Sequence, residues 1–88
     1  MFYLYMIKNQ ENKLYVGISE NPEQRVIYHN TKQGAQFTKS RDKFHLTFKE
    51  GYTTLAEARK REIQIKKWRR DKKEKLVNLY KKNINTKL

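Results

Sequence analysis

"FYLYMIKNQENKLYVGIS", residues 2–19, decides the fold. Its opening run sets Phe2, Leu4 and Met6 against Tyr3, Tyr5 and Ile7, so both faces carry aromatic or aliphatic side chains. That pattern belongs to a strand covered on both sides, in the centre of a sheet. "NQEN" at 9–12 reads as a turn, because asparagine tolerates left-handed backbone. "KLYVGIS" at 13–19 then returns as a second strand, and so short a loop makes the pair an antiparallel hairpin. Tyr5 and Tyr15 come close together on it. Gly17 lies inside the second strand, where a glycine marks a bulge or a close approach to the backbone.

Working outward, Asn21 is placed to cap a helix, with Pro22 at its first position and Glu23 in its first turn. This helix runs to about residue 30. "TKQGAQFTKSRDK", 31–43, is a polar and basic loop, long enough to suggest a task. In "FHLTFKE", 44–50, Phe44, Leu46 and Phe48 alternate with His45, Thr47 and Lys49, as in a half-buried third strand that Gly51 ends. Thr54, with Glu57 three residues on, forms a capping box for a second helix. Leu55, Ala58 and Ile65 fall on one face of it, and Glu62 falls on the same stripe. An acid there is costly unless a cation, a hydrogen-bond network or a metal compensates it. A last helix over 71–80 would bury Leu76, Val77 and Tyr80. The expected order is β-β-α-β-α-α: a three-stranded antiparallel sheet flanked by helices, in the α+β class. Residues 1–80 form one domain, and 81–88 are a flexible tail.

The chain carries 21 Lys and Arg against 9 Asp and Glu, a net charge of +12, within 88 residues. That balance favours a polyanionic partner. No apolar run approaches the roughly 18–20 residues of a membrane span, and no signal-peptide pattern opens the chain. Cysteine is absent, which excludes disulfides and thiolate zinc sites. A cytoplasmic location fits. Residues 59–75 alone hold ten Lys or Arg, with Glu62, Asp71 and Glu74. Lys66 and Arg69 there, and Lys39 and Arg41 in the 31–43 loop, are candidates for gripping a phosphate backbone. Trp68 is assigned to the core and His45 to a satisfied strand position.

Arg25, Tyr28 and His29 stand at i, i+3 and i+4 on the first helix and share a face. A cation, a phenol and an imidazole together can hold a phosphate and move a proton. A bland reading is also available, in which the tyrosines are core aromatics and the helix face is solvated.

With these residues in place, the chain resembles the GIY-YIG nuclease superfamily. "YLY" at 3–5 and "YVG" at 15–17 stand for its two signatures, and Arg25 and Glu62 match its arginine and glutamate. "GAQFTKSR", "FHLTF", "EARKREIQIKKW" and "KEKLV" bring it nearest to the small, single-domain, UPF0213-type bacterial members. The resemblance spans residues 2 to about 80. It implies an endonuclease of repair, recombination or structure-selective type, with DNA ahead of RNA as substrate. Glu62 would hold Mg2+ or Mn2+, facing the tyrosines where its helix crosses the sheet. Arg25 would grip the non-bridging oxygens. Tyr15, or Tyr5, would take the proton from water, with His29 as a relay. A tyrosine of ordinary pKa, about 10, needs nearby cations for that task. Tyr3 replaces the name-giving glycine, and Ile18 stands where some members carry a lysine, which leaves the base open between Tyr15 and His29. Many members carry an asparagine near the C-terminal end; Asn78 and Asn83 are nearby, but neither falls cleanly in register, and that role is left unassigned. The alternatives are a nucleic-acid-binding module of the same fold that does not cut, and an adaptor for an anionic surface or a protein.

Overall fold

The hairpin turn is built from its own asparagines. In the computed structural model, which describes residues 1–32, 43–86 and 88, Asn12 takes a left-handed φ of 71°. Its amide bonds the Asn9 carbonyl at 3.0 Å, while the buried Asn9 side chain accepts from the Lys13 amide at 2.9 Å. Strands β1 (Phe2–Lys8) and β2 (Leu14–Ser19) leave this turn antiparallel, followed by α1 (Pro22–Lys32), β3 (His45–Tyr52), α2 (Leu55–Lys66) and α3 (Arg70–Lys81). The sheet order is β2-β1-β3, so the first strand is central, as its two-sided apolar pattern requires. This is the α+β architecture of order β-β-α-β-α-α.

Helix starts follow the local signals. The Asn21 side chain accepts from the Gln24 amide at 3.2 Å and caps α1. Thr54 caps α2, accepting from the Glu57 amide at 3.2 Å. Glu57 does not return to the Thr54 amide; its carboxylate takes the hydroxyls of Thr53 and Thr54 at 3.1 and 2.9 Å.

The sheet buries both faces. Leu4, Met6 and Phe48 meet Ile65 of α2 and Leu76 and Val77 of α3, with Leu14, Val16, Tyr52 and Trp68 packed around them. On the opposite face Tyr5 and Ile7 meet Val26 of α1 and Phe44, with Leu46 beside them. Phe48 and Leu46 thus lie on opposite faces, contrary to the simple alternation expected for this strand. The cause is a β-bulge: Ile7 pairs with Leu46 but Met6 pairs with Phe48, leaving Thr47 as the extra residue. Its hydroxyl bonds the Met6 carbonyl at 3.2 Å, replacing part of the interrupted ladder.

Three further expectations change. Gly51 lies within β3, not at its end, and its missing Cβ leaves room for the Met1 and Tyr3 side chains. Leu55 is 41% exposed, because α2 is buried only at Ala58 and Ile65, beyond its first turn. Tyr80 is 38% exposed and meets the core edge-on at Phe48, with ring centroids 5.2 Å apart. Among the described residues, no helix is long and apolar enough to cross a membrane.

Candidate active site

Directly opposed residues in an antiparallel ladder share a face. Tyr5 opposes Gly17 and Lys49, Ile7 opposes Tyr15 and Leu46, and Tyr3 opposes Ser19 and Gly51. Tyr5 and Tyr15 therefore stand on one face, in neighbouring rows, and it is the face that α1 covers. Gly17 is neither a bulge nor a bare approach for a ligand. The Tyr5 ring lies across it, and a Cβ at residue 17 would come within 2.8 Å of the Tyr5 hydroxyl oxygen. The last residue of "YVG" is small so that the last residue of "YLY" can lie flat. Tyr5 is consequently only 8% exposed.

Tyr15 sits at the rim and is 51% exposed. Its ring meets the edges of His29, at 5.5 Å between centroids, and of Phe44, at 5.4 Å; His29 and Phe44 are 5.0 Å apart. All three contacts are T-shaped, the arrangement that aromatic quadrupoles favour. Phe44 is held by Asn30, whose side chain donates to the Phe44 carbonyl at 3.1 Å and accepts from its amide at 2.9 Å.

On α1 the flanks divide the work. Glu23 pairs with Lys49 of β3 at 2.8 Å and Asn30 reaches Phe44, so that flank faces β3. The Lys49 hydrogen bond holds the Glu23 carboxyl below its ordinary value, and Lys49 also lies over the Tyr3 ring at 5.2 Å. The other flank carries His29 against Tyr15 of β2. Arg25, one turn earlier, is exposed, with its guanidinium 5.3 Å from the Tyr28 ring centroid. It borders a surface hollow with Ser19, Asn21 and Gln24.

Glu62 reaches the site region from the other layer. Arg61 and Glu62 are consecutive and straddle the buried line from Ala58 to Ile65. Arg61 turns to β3, where it bonds Glu50 at 3.1 Å beneath Tyr52 and also donates to the carbonyls of Thr86 and Leu88 at 3.2 and 2.9 Å. Burial and the Glu50 bond push the Tyr52 hydroxyl up to about 12. Glu62 lies on the other flank of that line. Its side chain is 16% exposed and pairs with Lys66 at 3.3 Å. The structure thus brings Tyr5, Tyr15 and His29 to the α1 face, with Arg25 exposed one turn before His29, while Glu62 belongs to α2 on the opposite face.

Among the described residues, no group of three or more His, Cys, Asp and Glu side chains could hold a metal. A lone carboxylate does not fit zinc, which takes three or four protein ligands. It fits a hard cation such as Mg2+, which keeps most of its waters. Lys66, an exposed i,i+4 partner, can yield the carboxylate at small cost. Arg69, 93% exposed and loosely paired with Asp71 at 4.0 Å, marks the α2–α3 corner. Lys39 and Arg41 lie outside the described residues.

Residue patterns did not flag Asn30, Phe44 as a site wall, or Arg61. For Arg61 a signal existed, since its i+3 spacing from Ala58 places it on the buried stripe as well as Glu62's i+4 does.

The sequence and the fold have known counterparts. Residues 1–75 match the family model described as the GIY-YIG catalytic domain, and the chain belongs to the GIY-YIG family. Within it, the chain groups with the small UPF0213 proteins. It is 42% identical over 76 residues to a UPF0213 protein of Staphylococcus saprophyticus, covering 86% of this chain and 93% of that one. A UPF0213 protein of Staphylococcus aureus is 41% identical over 75 residues, covering 85% and 92% respectively. The solution NMR structure of a UPF0213 protein from Bacillus halodurans superposes with a TM-score of 0.57 at 30% identity, covering 90% of this chain and 85% of that one.

Proposed function

We propose that this protein is a divalent-metal-dependent endonuclease that hydrolyses phosphodiester bonds in DNA, of a repair, recombination or structure-selective kind. The observation that supports the reading is the packing of Tyr15 against His29 on the sheet face that also carries Tyr5, with Tyr15 and the α1 residue Arg25 open to solvent.

Hydrolysis requires a water to lose its proton and a trigonal-bipyramidal phosphorus to have its charge neutralised. The exposed Arg25 guanidinium can present two N–H groups to the non-bridging oxygens, a fit that lysine cannot reproduce. The Tyr15 hydroxyl gives its own proton to the His29 imidazole as it takes one from the attacking water, so the phenol ends neutral and the imidazole holds the proton. Tyr5, pinned over Gly17, presents its hydroxyl within the same face and orients the phosphate. Glu62 would hold the metal, which when bound supplies charge neutralisation at the leaving oxygen. A phosphate that meets both Arg25 and Glu62 must lie across the β2 edge. Lys66 and Arg69, with Lys39 and Arg41, would follow the backbone on either side.

A second reading has its own support. Glu62 is paired with Lys66 and stands in a different layer from Arg25, as suits a module that binds nucleic acid without cutting it.

The test is a panel of branched, nicked, single-stranded and duplex DNAs, with an RNA control, in Mg2+ and Mn2+. Arg25→Ala and Glu62→Gln are each expected to lower cleavage by about 10²–10³-fold, as loss of a charge-stabilising group does, with the fold intact. Cleavage undiminished in both variants, with contaminating nuclease excluded, would remove the site. Steeply salt-dependent binding with no product in either metal would establish the second reading.

A further inference from the structure

We infer that Asn30 is a positioning residue: through Phe44 it sets the Tyr15–His29 pair, to which the proposed function gives the proton transfer. The β1–β3 ladder ends at the Lys8–His45 pair, so the backbone of Phe44, one residue earlier, lies beyond it. Asn30 supplies the missing partner. Its carboxamide donates to the Phe44 carbonyl at 3.1 Å and accepts from the Phe44 amide at 2.9 Å, the double exchange that a hydrogen-bonded strand pair makes. Using donor and acceptor at once fixes which way the amide faces. Aspartate cannot donate, and serine or alanine cannot span the distance.

The clamp has a consequence for the rings. Phe44 is almost fully buried and sits edge-on to both Tyr15 and His29, at 5.4 and 5.0 Å. It is the third side of a triangle whose other two members face the proposed substrate. His29 precedes Asn30 in the chain, so a single turn of α1 carries both a reacting group and the residue that braces it. If Phe44 drifts, both rings lose the edge contact that it gives them.

The experiment uses the full chain and reads the rings directly. In NMR spectra, the carbon-bound protons of His29 and Tyr15 feel the Phe44 ring current. Asn30→Ala and Asn30→Asp are expected to move these resonances toward those of Phe44→Leu, while Phe44→Tyr, which keeps the ring, leaves them near wild type. In cleavage assays kcat is expected to fall by about 10–100-fold with KM nearly unchanged, part of what a well-placed proton-transfer group contributes. Melting, followed by the fluorescence of the single tryptophan, Trp68, checks that the variants fold. If Asn30→Ala does not fold, Phe44→Leu tests the same link without touching the clamp. Unchanged His29 and Tyr15 resonances in the folded Asn30 variants overturn the inference, whatever happens to kcat. Displaced rings in a chain whose wild type cuts no substrate support the positioning role and refute the hydrolytic one, so the two claims fail separately.

Discussion

The two faces of the sheet are built to different standards. Beneath α2 and α3, Leu4, Met6, Phe48, Ile65 and Leu76 have no exposed surface at all, and aliphatic side chains dominate. Beneath α1 the packing is smaller and more aromatic, and it opens at the β2 edge, where Tyr15 and Arg25 meet solvent. Burial of apolar surface is the main stabilising term, at roughly 25 cal/mol per Å2, so the α2/α3 face carries the fold. The α1 face holds polar groups in fixed directions at some cost in packing. A small domain has one good core to build, and here it lies on the face away from the candidate site.

This division is breakable. Phe48→Ala empties the fully buried side and is expected to cost about 3–5 kcal/mol, a large share of the roughly 5–15 kcal/mol that folds a domain. Val26→Ala beneath α1 should cost clearly less; urea unfolding followed by Trp68 fluorescence compares them. Equal losses would mean that the two faces are not distinct. Gly17→Ala sharpens the contrast from the other side. Its methyl group would stand 2.8 Å from the Tyr5 hydroxyl oxygen, so the ring must shift. A stability loss of about 1–3 kcal/mol is expected, with cleavage down by about 10–100-fold, since small misplacements are expensive in a reacting site. Full activity in this variant would mean that the position of Tyr5 does not matter.

The smallest effect concerns the polar fringe of the stable face. Glu74 bonds Lys8 at 2.9 Å and Arg70 at 3.0 Å, tying α3 to β1. Burial works to raise its pKa, but the two cationic partners outweigh it and leave the carboxyl below 4.5. A depressed value means that the native state prefers the ion, so the contribution is complete above about pH 4.5 and fades as pH falls through the lowered value. Wild type should exceed Glu74→Gln by up to about 1 kcal/mol at pH 7, with the gap closing toward pH 3. A gap that stays constant on acidification would show that the pair contributes nothing through its charge.

Much of this was legible in the residues themselves. The hairpin, its asparagine turn, both helix caps and the central place of β1 follow from local periodicity and turn chemistry, which need no distant contact. What escaped depends on contacts between elements. Phe44, Leu46 and Phe48 read as one face because alternation assumes an unbroken ladder, and nothing within residues 44–50 announces an extra residue at Thr47. Leu55 was placed on the buried stripe by spacing, although the helix has not yet met the sheet there. Within the candidate site, Tyr5, Tyr15, Arg25 and His29 were identified from their types and spacing. The layer from which Glu62 approaches was not, because helical periodicity states which residues share a face and not which side of a sheet that face covers. Asn30 was missed for a similar reason, since its partner is a backbone fourteen residues away.

Thr47 also bears on how this protein can change over time. A substitution there loses at most one hydroxyl contact, and removing the residue would leave an unbroken ladder in which Leu46 still opposes Ile7 and Phe48 still opposes Met6. Leu46 and Phe44 would keep to the α1 face and Phe48 to the face of α2 and α3, whereas losing a single residue elsewhere in the strand, with the bulge in place, would turn core side chains to the wrong side. Single-codon deletions within this strand in homologous chains should therefore fall at the place of Thr47, and the others should gather in the connections on either side.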